Sequence, residues 1–242
     1  MSNKRPEKGE TFPQKALFSW SGGKDSALAL YEVNAVSRKP ALADGVFSDG
    51  VKNDLNYEIV ALLTVVTEDY DRVSMHGVRS DLLKRQAESI GLPLERVFIS
   101  KSASQGEYES KMEKILRKYK NLGVETVVFG DIFLEDVRKY REEKLSKIGM
   151  KALFPLWKRN TAERAFTFLK LGFEAVITCV DSNLLDKSFV GRVFDEQFLS
   201  ALPPQVDPCG ENGEFHSFVY DGPIFRERIP HKIGEICLRD KR

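Results

Sequence analysis

The stretch KALFSWSGGKDS at residues 15–26 decides the fold class, because a short apolar run leads directly into a glycine turn. Residues 15–20 predict a buried strand that ends at the two glycines. From Asp25 onward, apolar residues recur at the spacing of a helix. The first forty residues therefore predict a strand, a tight loop and a helix in succession.

The loop at residues 21–26 has the chemistry of a phosphate site. Gly22 and Gly23 allow the backbone to turn with several N–H groups pointing inward, and the helix behind the loop adds its partial positive charge. Lys24 can offer a full positive charge, and the hydroxyls of Ser21 and Ser26 can donate to phosphate oxygens. These features predict an anion site at the start of the helix.

Asp25 suits an anion site only if it helps to hold Mg²⁺ or caps the helix. The string matches neither G-x-x-x-x-G-K-[ST] nor G-x-G-x-x-G. The alternative is an ordinary serine-glycine turn with a helix cap. The strand-loop-helix context favours phosphate binding over that alternative.

Beyond residue 58 the chain alternates between the two kinds of element. Continuous apolar runs predict buried strands, and apolar stripes of period 3.6 predict helices. The predicted strands are 59–67, 94–100, 124–130 and 152–154, and the predicted helices are 78–90, 107–122 and 136–148. This order predicts an α/β fold, a doubly wound parallel sheet with helices on both sides. Ligands of such sheets lie beyond the carboxyl ends of the strands.

The composition changes after Trp157, and prolines and glycines then divide the chain into short pieces. A helix over 161–171 and a strand over 175–180 are still predicted there. We place a domain boundary near Lys158 and expect a smaller α+β domain over 159–242. A flexible tail over 1–14 and a long surface connection over 37–57 complete the predicted organisation.

Composition excludes several classes of protein. The 242 residues include 37 Lys+Arg and 36 Asp+Glu, which gives a net charge of +1. A protein that binds nucleic acid through phosphate contacts usually carries a basic excess, so strong nucleic-acid binding is not expected. The apolar run at 59–66 is far shorter than the ~20 residues that span a bilayer. The polar N-terminus lacks an apolar stretch that secretion requires, so a cytoplasmic protein without a membrane anchor is expected.

The three cysteines, Cys179, Cys209 and Cys237, are widely spaced and form no C-x-x-C pair. This pattern argues against a disulfide framework and against a four-cysteine zinc site. Buried free thiols are the expectation.

Four further stretches accompany the loop. Gly130 and Asp131 close the predicted strand 124–130, and Arg138 and Arg141 follow on one face of the next helix. The others are MHGVR at 75–79, FPLW at 154–157 and DPCGENGEFHSFVYDGP at 207–223.

The loop resembles the PP-loop of ATP pyrophosphatases, and the whole set is similar to the ATP-binding family that contains diphthine:ammonia ligase. The resemblance covers residues 17–225, with Ser217 standing where threonine is common. It implies an adenine nucleotide alpha hydrolase-like fold, with an ATP-binding domain over 15–158 and a substrate domain over 159–242. It also implies an ATP-dependent amide-forming ligase that adenylates a carboxylate, releases AMP and pyrophosphate, and transfers ammonia.

The resemblance implies partners and site residues as well. ATP, Mg²⁺ and ammonium are expected, with diphthine on elongation factor two as the candidate acceptor and a homodimer as the assembly. The nucleotide-binding candidates are Ser19, Ser21, Gly22, Gly23, Lys24, Asp25, Ser26, Gly130, Asp131 and Arg138, with Asp25 and Asp131 also candidates for Mg²⁺. The catalytic candidates are Lys24, Glu211, Glu214 and His216.

The segment after residue 210 has two interpretations. Asn212-Gly213 is a turn signal, and alternation along the following strand places Glu214 and His216 on one face. A carboxylate beside an imidazole suits removal of a proton from ammonium. The alternative is a hydrogen-bonded pair that holds a loop. Glu211 is a candidate ligand of Mg²⁺ or of the ammonium ion.

Two competing functions remain open from the sequence. A tRNA-modifying adenylase could use the same loop, although the isolated cysteines and balanced charge do not favour it. A nucleotide-sensing module without turnover is the other alternative. His76 lies in a loop on the predicted substrate rim and has no assigned role.

Overall fold

The computed structural model describes residues 13–37, 57–74 and 77–238. The predictions for the N-terminal tail and for the connection over 37–57 fall almost wholly outside these residues, as does His76. The strands are β1 Gln14–Ser19, β2 Tyr57–Thr67, β3 Arg72–Val73, β4 Leu94–Ile99, β5 Thr126–Val128, β6 Lys151–Leu153, β7 Glu174–Val180 and β8 Phe215–Asp221. The α-helices are α1 Lys24–Ser37, α2 Ser80–Ile90, α3 Gln105–Asn121, α4 Glu135–Ser146, α5 Thr161–Lys170 and α6 Glu196–Ala201, and 3-10 turns occur at Glu68–Tyr70 and Lys187–Phe189.

The predicted parallel sheet is confirmed. Its strand order is β4-β2-β1-β5-β6, and all four pairings are parallel. The short strand β3 adds an antiparallel pairing at the end of β2. Neither β3 nor α6 was predicted, because two and six residues are too few to show a periodic pattern.

The two faces of the sheet bury different helices. Along β1, Phe18 points into one apolar cluster together with α1, α2 and α5, and Leu17 points into the other. That second cluster contains Leu116 of α3 and Leu145 of α4. Helices therefore cover both sides of the sheet, which is the doubly wound arrangement expected from the sequence.

The order in which strands are added to the sheet changes direction at β1. The chain proceeds from β1 to β2 and β4 on one side and then returns to β5 and β6 on the other. In an open α/β sheet, the crevice for ligands lies outside the carboxyl ends of the strands at such a reversal. Those ends carry the loop 21–26 after β1 and the pair Gly130 and Asp131 after β5.

The C-terminal part is built on a separate antiparallel pair, β7 and β8. Its core is aromatic: the rings of Phe198 and Phe215 lie 5.2 Å apart, and those of Phe168 and Phe194 lie 5.6 Å apart. This core is continuous with the apolar cluster on the Phe18 side of the parallel sheet. The two parts share one hydrophobic core, and the domain boundary at residue 158 stays a prediction.

None of the three cysteines forms a disulfide within the described residues, and of the three only Cys209 is buried. Cys179 is half-buried and Cys237 is exposed, so the expectation of three buried thiols was wrong. Within the described residues, no helix has the length and apolar character needed to cross a bilayer.

Candidate active site

The turn of the phosphate loop depends on Gly22, whose φ of +79° lies in the left-handed region. A Cβ at this position would lie 2.7 Å from the side-chain oxygen of Gln86. The side chain of Gln86 accepts a hydrogen bond from the Trp20 indole at 3.0 Å and donates to the carbonyls of Gly22 at 3.0 Å and Val219 at 2.6 Å. This buried amide on α2 joins the loop to β8, and sequence reasoning missed it.

Gly130 allows the end of the β5 segment to approach the start of α1 closely. A Cβ on Gly130 would lie 3.0 Å from the carbonyl group of Asp25 and 3.0 Å from the amide nitrogen of Ser26. Because backbone cannot move aside as a flexible side chain can, any larger residue would displace the helix start. The Gly130 position thus sets the spacing between two elements that line the site.

The serines of the loop bind one another. The hydroxyls of Ser21 and Ser26 lie 2.7 Å apart, and the Ser21 hydroxyl also accepts from the amide of Gly23 at 3.3 Å. These bonds hold the loop closed around the first turn of α1. Most amides of a first helical turn have no acceptor within the helix, so they are available to an anion.

Strand β8 closes the loop from the other side. The Ser217 hydroxyl accepts a hydrogen bond from the amide of Lys24 at 3.2 Å, and the amide of Val219 donates to the Gly22 carbonyl at 3.0 Å. Ser217 therefore caps α1 from a distant part of the chain. A threonine hydroxyl could do the same, which explains why serine is a mild replacement there.

Lys24 is directed into the protein. Its side chain is 4% exposed, and its ammonium donates to the carboxylate of Asp25 at 2.8 Å and to the carbonyl of Cys209. Burial is the largest single influence and acts to lower the pKa of Lys24, but the charge and hydrogen bond of Asp25 together with Cys209 and Glu211 outweigh it, so the pKa is raised. Two of the three donors of the ammonium are thus already bonded, and Lys24 also lines the smaller cavity. In this structure Lys24 ties the loop to the segment around Cys209.

Most carboxylates of the acidic segment 207–214 accept hydrogen bonds from backbone amides of the same segment. Asp207 accepts from the amides of Cys209 at 2.8 Å and Glu211 at 3.2 Å. The buried carboxylate of Glu214 accepts from the amide of Asp207 at 3.0 Å, and from the backbone and side-chain amides of Asn212 at 2.9 Å each. These bonds fold the segment into a compact loop.

This geometry favours the structural alternative for Glu214. Strand β8 begins at Phe215, so the alternation used in the sequence argument does not extend to Glu214, and its carboxylate lines neither cavity of the site. His216 does line the smaller cavity, and its carbonyl accepts from the hydroxyl of Thr178 at 3.2 Å. The two predicted partners therefore have different surroundings.

Glu211 is the carboxylate of this segment that faces the cavity. One of its oxygens accepts from the amides of Ile132 at 2.6 Å and Phe133 at 3.3 Å. Burial, together with the nearby charge of Asp25, raises the pKa of Glu211 to about 7. A carboxyl group with such a pKa can take up or release a proton near neutral pH.

The arginine that reaches the site is Arg141. It donates to Asp131 at 3.0 Å, and both residues line the smaller cavity. Arg138 lines neither cavity: it pairs with Glu142 at 2.7 Å and its guanidinium lies 4.6 Å from the ring centre of Trp157. The geometry of the site therefore lends no support to the predicted role of Arg138 in binding the nucleotide. The helical pattern put both arginines on one face but could not show which one Trp157 would hold.

Two adjoining cavities form the candidate site. The smaller, of about 210 Å³, lies between the phosphate loop, the end of β5 and the 210–217 segment. It brings together the predicted residues Ser19, Ser21, Gly23, Lys24, Asp25, Ser26, Gly130, Asp131, Glu211 and His216. Gly22, Arg138 and Glu214 are the predicted residues that do not line it.

The larger cavity, of about 510 Å³, was not foreseen from the sequence. It extends over the ends of β1, β2 and β4 toward α3 and α4, and its wall includes Thr64, Tyr108 and Tyr140. The Thr64 hydroxyl is buried and has no hydrogen-bond partner among the described residues. The volume is in the range of small-molecule sites, and the unpartnered hydroxyl indicates a polar ligand.

Two family models match the chain. The model described as "Diphthamide synthase N-terminal domain" matches residues 51–152, and "Diphthamide synthase C-terminal domain" matches residues 160–239. Together they cover well over half of the sequence, on both sides of the site. The chain belongs to the diphthine:ammonia ligase-like family of PP-loop ATP pyrophosphatases. The resemblance inferred from the motifs is thereby confirmed.

Similar curated proteins carry a matching name. A protein named diphthine–ammonia ligase from Schizosaccharomyces pombe is 27% identical over 92% of this chain, which spans 38% of that protein. A protein of that name from Bos taurus is 27% identical over 89% of this chain and 82% of its own length, and one from Danio rerio is 28% identical over 86% and 83%. These matches support the predicted enzyme class, an ATP-dependent ligase of this family.

The residues of this family member fit a magnesium ion that is shared with phosphates. Among the described residues, no group of three or more His, Cys, Asp or Glu side chains forms a metal site. Mg²⁺ in nucleotide sites, however, is usually held by one or two carboxylates together with phosphate oxygens. Asp25 and Asp131 supply two carboxylates to the cavity beside the loop, which matches that donor set.

Proposed function

We propose that this protein is an ATP-dependent ligase that adenylates a carboxylate and then transfers ammonia to it, with release of AMP and pyrophosphate. The observation that carries the proposal is the pair of adjoining cavities. One is large enough to hold a nucleoside, and the other lies at the start of α1. A nucleoside triphosphate likewise has two parts, a nucleoside and a chain of phosphates, which match the two cavities.

The proposal assigns ATP to both cavities. Its nucleoside occupies the larger one, where the Thr64 hydroxyl has no hydrogen-bond partner among the described residues. Its phosphates lie against the loop 21–26, where first-turn amides and the helix dipole stabilise negative charge. Bound Mg²⁺, held by Asp25 and Asp131, would supply charge compensation to the phosphates. The loop then stabilises the developing charge of the leaving pyrophosphate through positioned N–H donors.

The substrate side of the site is assigned to residues 159–242, with the ATP-binding side at residues 15–158. Segment 210–217 faces the phosphate loop across the smaller cavity, so an acceptor carboxylate that enters there meets the α-phosphate. Holding the two reactants in one orientation accounts for a large part of the expected acceleration. Because the similar proteins are named diphthine–ammonia ligase, diphthine on elongation factor two is the proposed acceptor, and the cytoplasm the proposed compartment.

Proton handling is assigned to Glu211, with His216 as the second group at the cavity. Ammonium must lose a proton before its nitrogen can attack the acyl adenylate. The pKa of Glu211, raised to about 7 by burial and by Asp25, suits a group that accepts this proton. Glu214 positions Glu211 by folding the 207–214 segment.

Product analysis tests the proposal. The protein is incubated with Mg²⁺, ammonium, elongation factor two that carries diphthine, and ATP labelled at the α or the γ position. We expect AMP and pyrophosphate in amounts equal to the amide formed, and none without the acceptor. ADP with orthophosphate would overturn the adenylation step. Activity with tRNA instead of the elongation factor would favour the tRNA-modifying alternative, and ATP binding with no turnover of any acceptor would favour the sensing module.

The homodimer stays a prediction, which sedimentation velocity of the purified full chain will decide. A single species at the mass of two chains is the expected result. A species of 27.5 kDa at working concentration would exclude it.

A further inference from the structure

Arg141 lies at the junction of the two cavities. Of the described residues, Ser19, Ser21, Phe129 and Arg141 line both of them, and Arg141 is the charged member of this group. Any ligand that extends from one cavity into the other must pass these four residues. A positive charge at that point favours a negative group in the linking portion of the ligand.

Two contacts hold the Arg141 side chain in place from different directions. The Nη2 atom donates to the Asp131 carboxylate at 3.0 Å, and the guanidinium carbon lies 4.3 Å from the ring centre of Phe129. An arginine clamped in this way loses little further freedom when it binds a ligand. The two contacts leave other donors of the planar guanidinium for a second partner.

The Nε atom of Arg141 lacks a hydrogen-bond partner among the described residues although it is buried. Buried polar groups almost always have a partner, so such an exception calls for an explanation. Three buried side-chain atoms of the described part share this property, and two of them, Arg141 Nε and Thr64 Oγ1, belong to residues that line the larger cavity. A bound ligand with acceptor oxygens would satisfy both atoms.

We propose that Arg141 binds the phosphate group that joins the two cavities, the α-phosphate of ATP, and that it keeps this contact with AMP after pyrophosphate has left. Asp131 is then a positioning residue, because it holds the guanidinium toward the phosphate. The inference rests on the proposed function and refines it. It adds Arg141 to the loop residue Lys24 as a side-chain cation at the nucleotide, and the ammonium of Lys24 already bonds to Asp25 and to the carbonyl of Cys209.

Nucleotide binding by calorimetry tests this assignment without any acceptor. AMP, adenosine and pyrophosphate are titrated separately into the wild-type protein and into Arg141→Gln, with AMP measured in EDTA so that no Mg²⁺ can mediate the contact. We expect Arg141→Gln to weaken AMP by about 10-fold to 100-fold, the range for hydrogen bonds to a charged group. Adenosine and pyrophosphate should keep wild-type affinities within about twofold.

Arg138→Gln is the matched control. Arg138 stands one turn earlier on α4, stacks on an aromatic ring and pairs with an acid, yet it lies outside both cavities. This variant should bind AMP as the wild type does. Arg141→Lys should recover part of the affinity, because a lysine supplies charge but not the planar fork.

The outcomes separate the inference from the proposed function. If the wild type binds AMP and Arg141→Gln binds it equally well, the assignment of Arg141 is overturned while the ligase remains. If Arg141→Gln weakens pyrophosphate as strongly as AMP, Arg141 binds the β- or γ-phosphate and the α-phosphate assignment is wrong. If Arg141→Gln weakens adenosine as strongly as AMP, Arg141 supports the nucleoside cavity and the phosphate assignment is wrong. A wild type that binds none of the nucleotides would overturn both proposals.

Discussion

Two loops meet at the candidate site, and they use their polar groups in different ways. At the phosphate loop 21–26 the Lys24 amide donates to Ser217, and the amides of Asp25 and Ser26 stand in the first turn of α1, which has no preceding turn to supply acceptors. The loop 207–214 turns the carboxylates of Asp207 and Glu214 onto its own backbone amides. Asp207 and Glu214 thus stabilise the fold of their own loop, whereas the neighbouring Glu211 lines the smaller cavity. Substitutions in the two loops should therefore have separable effects on stability and on chemistry.

The largest expected effect on stability is that of Glu214→Ala. The change removes the buried carboxylate that accepts from three amide donors of Asp207 and Asn212, so it should lower the free energy of unfolding by about 3–4 kcal/mol. Urea denaturation measures this loss. The control Glu211→Gln should not lose stability, because its amide oxygen can still accept from the backbone amides of Ile132 and Phe133. A Glu214→Ala protein of normal stability but without turnover would instead make Glu214 a catalytic residue.

Glycines offer a second comparison of the two loops. Gly22 and Gly213 both have positive φ, but a Cβ on Gly22 meets the buried Gln86, whereas a Cβ on Gly213 meets nothing within 4 Å. Gly22→Ala should therefore cost about 2–4 kcal/mol, from backbone strain plus overlap, and Gly213→Ala about 1–2 kcal/mol from strain alone. Thermal or urea unfolding of the two variants checks the order. Equal losses would show that the contact with Gln86 does not constrain the loop.

Glu211→Gln should separate chemistry from folding by its dependence on pH. The folded pKa of about 7 lies above the ordinary value of 4.5, so the folded state retains a proton that the unfolded state has lost between these values. Wild-type stability relative to Glu211→Gln should thus fall as pH rises from 4.5 to 7. The rate of amide formation should rise through an apparent pKa near 7 in the wild type. If the rate of amide formation by Glu211→Gln still rises through an apparent pKa near 7, another group accepts the proton.

The smallest expected effects come from two hydroxyls. Thr64 has no partner and Ser217 caps α1, so Thr64→Val should stabilise the free protein by about 1 kcal/mol and Ser217→Ala should destabilise it by a similar amount. Thr64→Val should also weaken adenosine by a few-fold, since the ligand would lose a hydrogen bond. Melting curves and calorimetry measure both. A destabilised Thr64→Val protein would show that the hydroxyl has a partner after all.

Local patterns in the sequence were sufficient for the fold and for the phosphate loop. Strands buried on both faces and amphipathic helices are visible in single segments, and the SGGKDS string lies within one turn. The parallel sheet with helices on both faces followed from that alternation, whereas the order of its strands did not. Each of these patterns lies within one short segment, so it can be recognised from the sequence alone.

Contacts between distant segments could not be predicted in the same way. The amide of Gln86 reaches both Gly22 and Val219, and Ser217 caps a helix near the other end of the chain. The choice between Arg138 and Arg141 depended on where Trp157 packs. Each depends on tertiary packing, so neither spacing nor residue type in one segment could reveal it.

A crystal structure with Mg²⁺ and an ATP analogue that has a methylene group between the α- and β-phosphates tests the central claim most directly. The account predicts the nucleoside in the larger cavity, the β- and γ-phosphates on the amides of loop 21–26, and Glu214 still bound to the amides of Asp207 and Asn212. A nucleotide outside these cavities, or a Glu214 carboxylate that leaves its loop to contact the nucleotide, would contradict it.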